Sequence, residues 1–337
     1  MTERPASRHV DGILLLDKPV GMTSNRALQA VRHLYRAHKA GHTGSLDPLA
    51  SGLLPVCLGQ ATKVSAWLLD SDKHYRVEAR LGARTDTGDA DGRVVETAAI
   101  ETVTPDEIGR VLDRFRGPIE QVPPMYSALK HQGRRLYALA REGREVERKP
   151  RPVEIHRLEL ERCADGVMAL EVECSKGTYI RSLVEDIAAA AGTLAHVTAL
   201  RRLGAGPFRS PVMHTLAALE TLATAGQAAL DDLLLPPDRA LERWDSVHLD
   251  TLAAGRLLQG REVAVTGQRA GLVRVYRGAQ VFLGVGELTA DGRLSPRRLF
   301  AVSGGEDGLH RGGRADDNDP VAVRNPDRSL FRGSPSG

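Results

Sequence analysis

Two segments of this chain alternate apolar and polar residues with a period of two: Tyr75-Arg76-Val77-Glu78-Ala79-Arg80-Leu81 and Leu170-Glu171-Val172-Glu173-Cys174. Only an extended strand sends every second side chain to the same face, so both read as strands of a sheet with one face covered and one in water. Residues 180 to 191 form an amphipathic helical pattern suited to cover it. Residues 12 to 16 are an apolar strand ending at the turn Asp17-Lys18-Pro19, and Ala27, Leu28, Val31 and Leu34 recur at helical spacing behind the capping candidate Ser24. Strands and helices without a regular βαβ alternation favour an α+β fold on a mixed, mainly antiparallel sheet.

The texture changes twice beyond that sheet. From about 216 to 240 the sequence is Ala/Leu-rich and helical. From 246 it turns to short strands at 262–265, 272–276 and 281–285 with an Asp291-Gly292 turn, a small β-rich module. Residues 1 to 10 read as a flexible lead-in, and from 303 on the composition of Gly, Asp, Arg, Ser and Pro predicts a disordered tail.

At 337 residues and 42% hydrophobic content the chain can bury a core large enough for two domains. Its net charge is only +3, so a nucleic-acid partner has to be argued from where the basic residues fall. No apolar run approaches a membrane span, and the start lacks the apolar core of a signal peptide, so a cytosolic protein is expected. Cys57, Cys163 and Cys174 form no Cys-x-x-Cys motif and read as buried thiols. Metal-ligand spacings among the 11 histidines, dinucleotide fingerprints and Walker loops are all missing from the sequence. Chemistry without metal or cofactor is therefore expected.

The segment Gly41-His42-Thr43-Gly44-Ser45-Leu46-Asp47-Pro48-Leu49-Ala50-Ser51-Gly52 sets one carboxylate in a Gly-flanked polar loop. Proline excludes the α region for the residue before it, so Asp47 is held extended. The plain structural reading is a helix start over 49 to 58, with Asp47 as N-cap and Pro48 at the first helical position. The functional reading is a nucleophile. Between 130 and 151 lie eight Lys/Arg against three Asp/Glu, a candidate phosphate-contacting patch or else a solvated helix with Glu/Arg pairs.

Four blocks together resemble the TruB family of tRNA pseudouridine synthases: Lys18-Pro19-Val20-Gly21-Met22-Thr23-Ser24, the Asp47 loop running into Leu53-Leu54-Pro55-Val56, Gln121-Val122-Pro123-Pro124-Met125-Tyr126-Ser127 with Gly133-Arg134-Arg135-Leu136-Tyr137, and Cys174-Ser175-Lys176-Gly177-Thr178-Tyr179-Ile180-Arg181-Ser182-Leu183 with Ala199-Leu200-Arg201-Arg202-Leu203. The match runs from 12 to 203 and loosens beyond. It implies a pseudouridine synthase fold over 11–240 with an RNA-gripping insertion near 121–151, and a PUA-like RNA-binding domain over 246–302. By the same resemblance Asp47, Tyr75 and Arg181 would be catalytic, with Arg181 pairing with Asp47 and Tyr75 stacking on the base and helping to remove the C5 proton. His42, Tyr179 and Leu200 would line the substrate site, Lys18 and Pro19 would support the pocket, and Lys130, Arg134 and Arg135 would meet the RNA backbone. The implied reaction isomerises uridine 55 of the tRNA T-loop without cofactor, by a monomer that needs no protein partner. Two other classes remain in view: a tRNA-binding or folding protein in which chemistry is secondary, and a synthase acting on a different RNA.

Overall fold

The structure, a computed structural model, describes residues 6–100 and 103–301. Its main sheet runs in the order His214–Thr215, Gly12–Lys18, Ser51–Leu58, Ala195–Ala205, Lys73–Leu81, Val167–Cys174, Arg151–Ala164 and Gly117–Gln121. Ala40–His42 joins Ser51–Leu58, and Phe208–Arg209 joins Ala195–Ala205. Two junctions are parallel, between Gly12–Lys18 and His214–Thr215 and between Ser51–Leu58 and Ala195–Ala205. The remaining pairs along it are antiparallel, which is the mixed sheet the sequence pattern predicts.

Period two becomes burial directly. Tyr75, Val77, Ala79 and Leu81 face the core while Arg76, Glu78 and Arg80 face water. That inner face, continued by Leu170, Val172 and Leu200, packs under Ile108, Val111 and Leu112 of the helix Pro105–Leu112 and under Leu183, Val184 and Ile187 of the helix Ile180–Ala190. The strand Gly12–Lys18 is buried on both faces, which its unbroken Ile-Leu-Leu-Leu reflects. Leu14 and Leu16 meet Ala27, Leu28 and Val31 of the helix Ser24–Leu34, whereas Ile13 and Leu15 lie in a cluster with Val285 and Phe300 of the second sheet. That second sheet orders Ser246–Leu249, Gly271–Arg277, Val281–Leu288, Arg293–Leu299 and Val263–Ala264. Lys63 Nζ, donating to Leu299 O at 2.7 Å, and the edge-on pair Trp67 and Trp244 at 5.3 Å fasten it to the first.

Several expectations need correction. Asp47-Pro48 starts no helix: the chain turns there, with Ala50 N bonded to Asp47 O, and then runs extended as Ser51–Leu58. Residues 6 to 10 are anchored, with the Arg8 guanidinium on Asp231 and Val10 buried. The stretch from 216 to 240 is two short helices, Leu216–Ala223 and Gln227–Asp231, and a 3-10 turn, Pro237–Leu241, divided at Gly226, whose φ is +111°, and at the Pro236-Pro237 pair. The helix after the first strand is capped by Thr23, whose hydroxyl accepts from Arg26 N, and not by Ser24. Cys57 and Cys174 are buried but Cys163 only partly so. The expected tail from 303 lies outside the described residues.

One close approach depends on glycine. Gly52, at φ +96°, lets the strand leaving the Asp47 loop lie against Arg202; a Cβ there would sit 2.3 Å from Arg202 O and 2.9 Å from its N. Gly109, inside the helix Pro105–Leu112, has nothing within 4 Å of a Cβ. The same substitution at these two positions is therefore expected to act with opposite sign in urea unfolding: Gly52→Ala destabilises by more than about 1 kcal/mol, and Gly109→Ala stabilises by roughly 0.5–1 kcal/mol.

Candidate active site

The loop that carries Asp47 is held from three sides. Ser24, at the first turn of its helix, both donates to Leu46 O at 3.1 Å and accepts from Leu46 N at 2.7 Å, so one hydroxyl fixes the peptide next to Asp47. Gly21 N donates to Pro48 O at 2.8 Å from the turn after the first strand. Arg202 Nη2 donates to Gly44 O at 3.2 Å from the strand behind. Lys18 braces the turn that holds Pro48: its buried Nζ donates to Pro19 O at 2.8 Å and Met22 O at 2.6 Å. Burial pushes that amine down to about 8, the Asp47 carboxylate pulls it back up and Arg202 pushes it further down. Pro19 itself is exposed.

Arg181 meets Asp47 from the first turn of the helix Ile180–Ala190, where a cation is disfavoured by the helix dipole unless it has a partner. Its Nε lies 2.9 Å from Asp47 Oδ2, and its other two nitrogens donate to Thr87 O at 2.6 Å and Tyr126 O at 2.8 Å. Asp89 Oδ2 stands 3.8 Å from the same Nε and is itself held by the Thr87 hydroxyl at 2.6 Å. The guanidinium is thus fixed at every nitrogen and only 5% exposed, while the Asp47 side chain keeps 42% of its surface open. The pair presents its anion outward. Burial raises the Asp47 carboxyl above the ordinary aspartate value; Arg181 opposes that rise and Asp89 adds to it.

Two tyrosines and a leucine stand around the carboxylate. Tyr75 faces inward from its strand with Arg202 directly opposite in the neighbouring strand, and Leu200 lies beside them opposite Val77. Burial raises the pKa of the Tyr75 phenol, and the Arg202 charge opposes that rise. Tyr179, the N-cap residue of the Arg181 helix, is held by both amide ends of buried Gln121: Tyr179 N donates to Oε1 at 2.7 Å and Nε2 donates to Tyr179 O at 2.9 Å. The Asp47 charge reaches both phenols. His42 ends the short strand before the loop, with its Nδ1 buried and without a hydrogen-bond partner among the described residues; burial and Arg202 push its pKa down, which favours the neutral ring.

The structure therefore brings Asp47, Arg181, Tyr75, Tyr179, Leu200 and Lys18 together, with His42 at the margin. Lys130, Arg134 and Arg135 sit apart from them on an exposed two-stranded hairpin, Lys130–His131 with Arg134–Arg135, followed by the short helix Leu136–Arg141. Arg134 pairs with Glu142, and Arg135 lies over the Tyr137 ring at 6.0 Å. This insertion touches the site through its stem, since Tyr126 O accepts from Arg181 and Val122 O accepts from Ser182. Sequence reasoning gave no site role to Arg202, Asp89 or Gln121, and gave Ser24 only that of a helix cap. For Arg202 a signal existed: it falls two residues after Leu200 on a strand, at a core-facing position where a charge is out of pattern.

Comparison with known proteins finds a family for this chain. Residues 32–180 match the model for the TruB family pseudouridylate synthase N-terminal domain, 181–242 the tRNA pseudouridylate synthase B C-terminal domain, and 246–300 the pseudouridine synthase II TruB C-terminal family. The loosening expected beyond Leu203 is thus corrected, since the family's own C-terminal models continue to residue 300. A tRNA pseudouridine synthase B from Nitrosococcus oceani is 54% identical over 297 residues, covering 88% of this chain and 96% of that protein. One from Thiobacillus denitrificans is 53% identical over 300 residues, covering 89% and 99%. Among solved structures, a chain of a Cbf5-Nop10-Gar1 complex superposes with a TM-score of 0.66 at 27% identity, covering 83% of this chain and 79% of that one. No described helix is long and apolar enough to cross a membrane. With relatives this similar over nearly their full length, the chain belongs to the TruB family of pseudouridine synthases.

Proposed function

We propose that this protein isomerises uridine to pseudouridine in tRNA, at position 55 of the T-loop, with Asp47 as the reacting carboxylate. The observation that supports it most is the Asp47–Arg181 pair, a buried cation fixed at every nitrogen beside a carboxylate that stays 42% exposed. Pseudouridine formation breaks the bond from ribose C1′ to N1 and rejoins the base through C5. An ionised carboxylate serves either route, by adding to C6 of the base or by acting at C1′ as the bond breaks. Arg181 favours the ionised form and leaves 42% of the Asp47 side chain open.

A uridine stacked in RNA hides C1′ and C5, so the target has to be flipped out at a cost of about a few kcal/mol. Tyr75 and Tyr179 offer π faces for the extruded base, with Leu200 and His42 completing the pocket. The hairpin bearing Lys130, Arg134 and Arg135 is suited to hold the phosphates, and the sheet over 246–302 to act as a PUA-like RNA-binding domain beside the catalytic domain 11–240. The relatives' names support tRNA as the substrate. The enzyme would act in the cytoplasm as a monomer without a protein partner.

Three outcomes test this reading. With an unmodified tRNA transcript, Asp47→Asn is expected to bind with wild-type affinity while turnover disappears; turnover within tenfold of wild type would remove Asp47 from the chemistry. The active form carries ionised Asp47, so activity is present above its pKa and lost as pH falls through it, and the raised pKa sets that loss at a higher pH than for an ordinary aspartate. In single-turnover pH profiles Asp89→Asn is expected to move the acid limb down and Arg181→Gln to move it up; the reverse order would contradict the electrostatics. Replacing Arg134 and Arg135 with Gln is expected to weaken tRNA binding and reduce the slope of log affinity against log salt by up to about 2. An unchanged slope would show that the hairpin is not the grip.

A further inference from the structure

Among the described residues Arg202 is the largest side chain that is fully buried, at 1% exposure. It stands on the core-facing side of its strand, between the Asp47 loop and the Tyr75 strand. Nε donates to Leu53 O at 2.6 Å and Nη2 to Gly44 O at 3.2 Å, and Arg202 stands directly opposite Tyr75 in the neighbouring strand, close enough for its charge to act on the phenol. Among the described residues no carboxylate forms an ion pair with it, in contrast to Arg181 close by, which has both Asp47 and Asp89. The other charges near it are of its own sign, Lys18 and Lys73, and His42 also faces it. A buried cation without an anion partner is costly, so an anion formed beside it would be stabilised. Directly across the strands from Arg202 stands a group that can become an anion, the Tyr75 phenol.

Isomerising uridine to its C-glycoside moves one proton from C5 to N1, with no other reactant. After C5 has joined C1′, the C5–H bond must break with its electron pair returning to the ring, and a proton must reach N1 from water. We propose that Arg202 is the positioning residue for this proton transfer: it fixes the Tyr75 oxygen beside the flipped base and stabilises that oxygen as a phenolate, which takes the proton from C5. A guanidinium only donates hydrogen bonds, so in this role the Tyr75 oxygen would be the acceptor, with a lone pair free for the base. The groups facing Tyr75 are Arg202 from one neighbouring strand, Cys174 from the other and Asp47 from the loop. Of these Arg202 alone favours the phenolate, against burial and the Asp47 charge.

The inference rests on the proposed uridine isomerisation and is tested with tRNA carrying 5-deuterouridine at the target. Arg202→Gln is expected to lower kcat by about 10²-fold or more with little change in tRNA affinity, the scale of a lost proton-transfer contribution. It should also unmask an isotope effect on kcat that wild type lacks, because the C5–H step becomes limiting. Arg202→Lys, which keeps the charge and loses the fork, should show the same isotope effect with a smaller loss, and carries the test if the Gln variant fails to fold. Added to Tyr75→Phe, Arg202→Gln should cost little more, since both act on one step. A slowed variant without an isotope effect, or full additivity with Tyr75→Phe, would make Arg202 a brace of the fold and overturn the proposal. An inactive wild type would sink the isomerase reading itself, so the two failures are distinguishable.

Discussion

The ion pair between Asp47 and Arg181 is the contact around which the rest of the catalytic sheet is arranged. A carboxylate drawn out of water tends to protonate, and a guanidinium buried without an anion is more costly still. Each solves the other's problem at 2.9 Å, but only if both are delivered to the same point by separate elements. Asp47 comes on a loop between two strands, clamped by Ser24 and Gly21. Arg181 comes on a helix start across the sheet, clamped by Thr87 O and Tyr126 O. The asymmetry in exposure is what separates a reactive pair from a structural one, for the cation is locked and the anion remains open.

Around that pair the fold places fixed hydrogen-bond partners where loops alone would be loose. Gln121 reads both backbone groups of Tyr179, Lys18 gathers the carbonyls of the Pro19–Met22 turn, and Arg202 ties the Asp47 loop to the strand behind it. Each is buried, and each acts on backbone that carries a pocket residue. Such supporting contacts hold reacting groups within the narrow geometry that catalysis demands. The insertion joins the same network through Tyr126 O, so the segment suited to hold RNA and the cation that holds Asp47 share a hydrogen bond.

Much of this was legible in the sequence, for physical reasons that differ by element. The strand bearing Tyr75 could be read because one face is in water, and the alternation records which residues are buried. The extended conformation of Asp47 followed from Pro48, yet local chemistry could not decide between a helix start and a turn. What decides it is tertiary, since Ser24 and Arg202 take the loop's peptide groups before a helix could use them. Asp89, Gln121 and Arg202 were not assigned because their roles lie in contacts with residues far along the chain, which no local spacing encodes. The break of the 216 to 240 region was visible as Gly226 and Pro236-Pro237 but outweighed by its Ala/Leu composition.

The central claim is that Asp47, partly open beside the buried Arg181, is an anion at neutral pH. It can be measured by carbon-13 NMR of the aspartate-labelled protein, with Asp47→Asn identifying the resonance, through a pH titration without RNA. The account predicts that the Asp47 carboxyl titrates above the ordinary aspartate value, through burial, yet still carries its charge at pH 7 beside Arg181. An Asp47 resonance that is still protonated at pH 7, or one that titrates below a free aspartate, would contradict it.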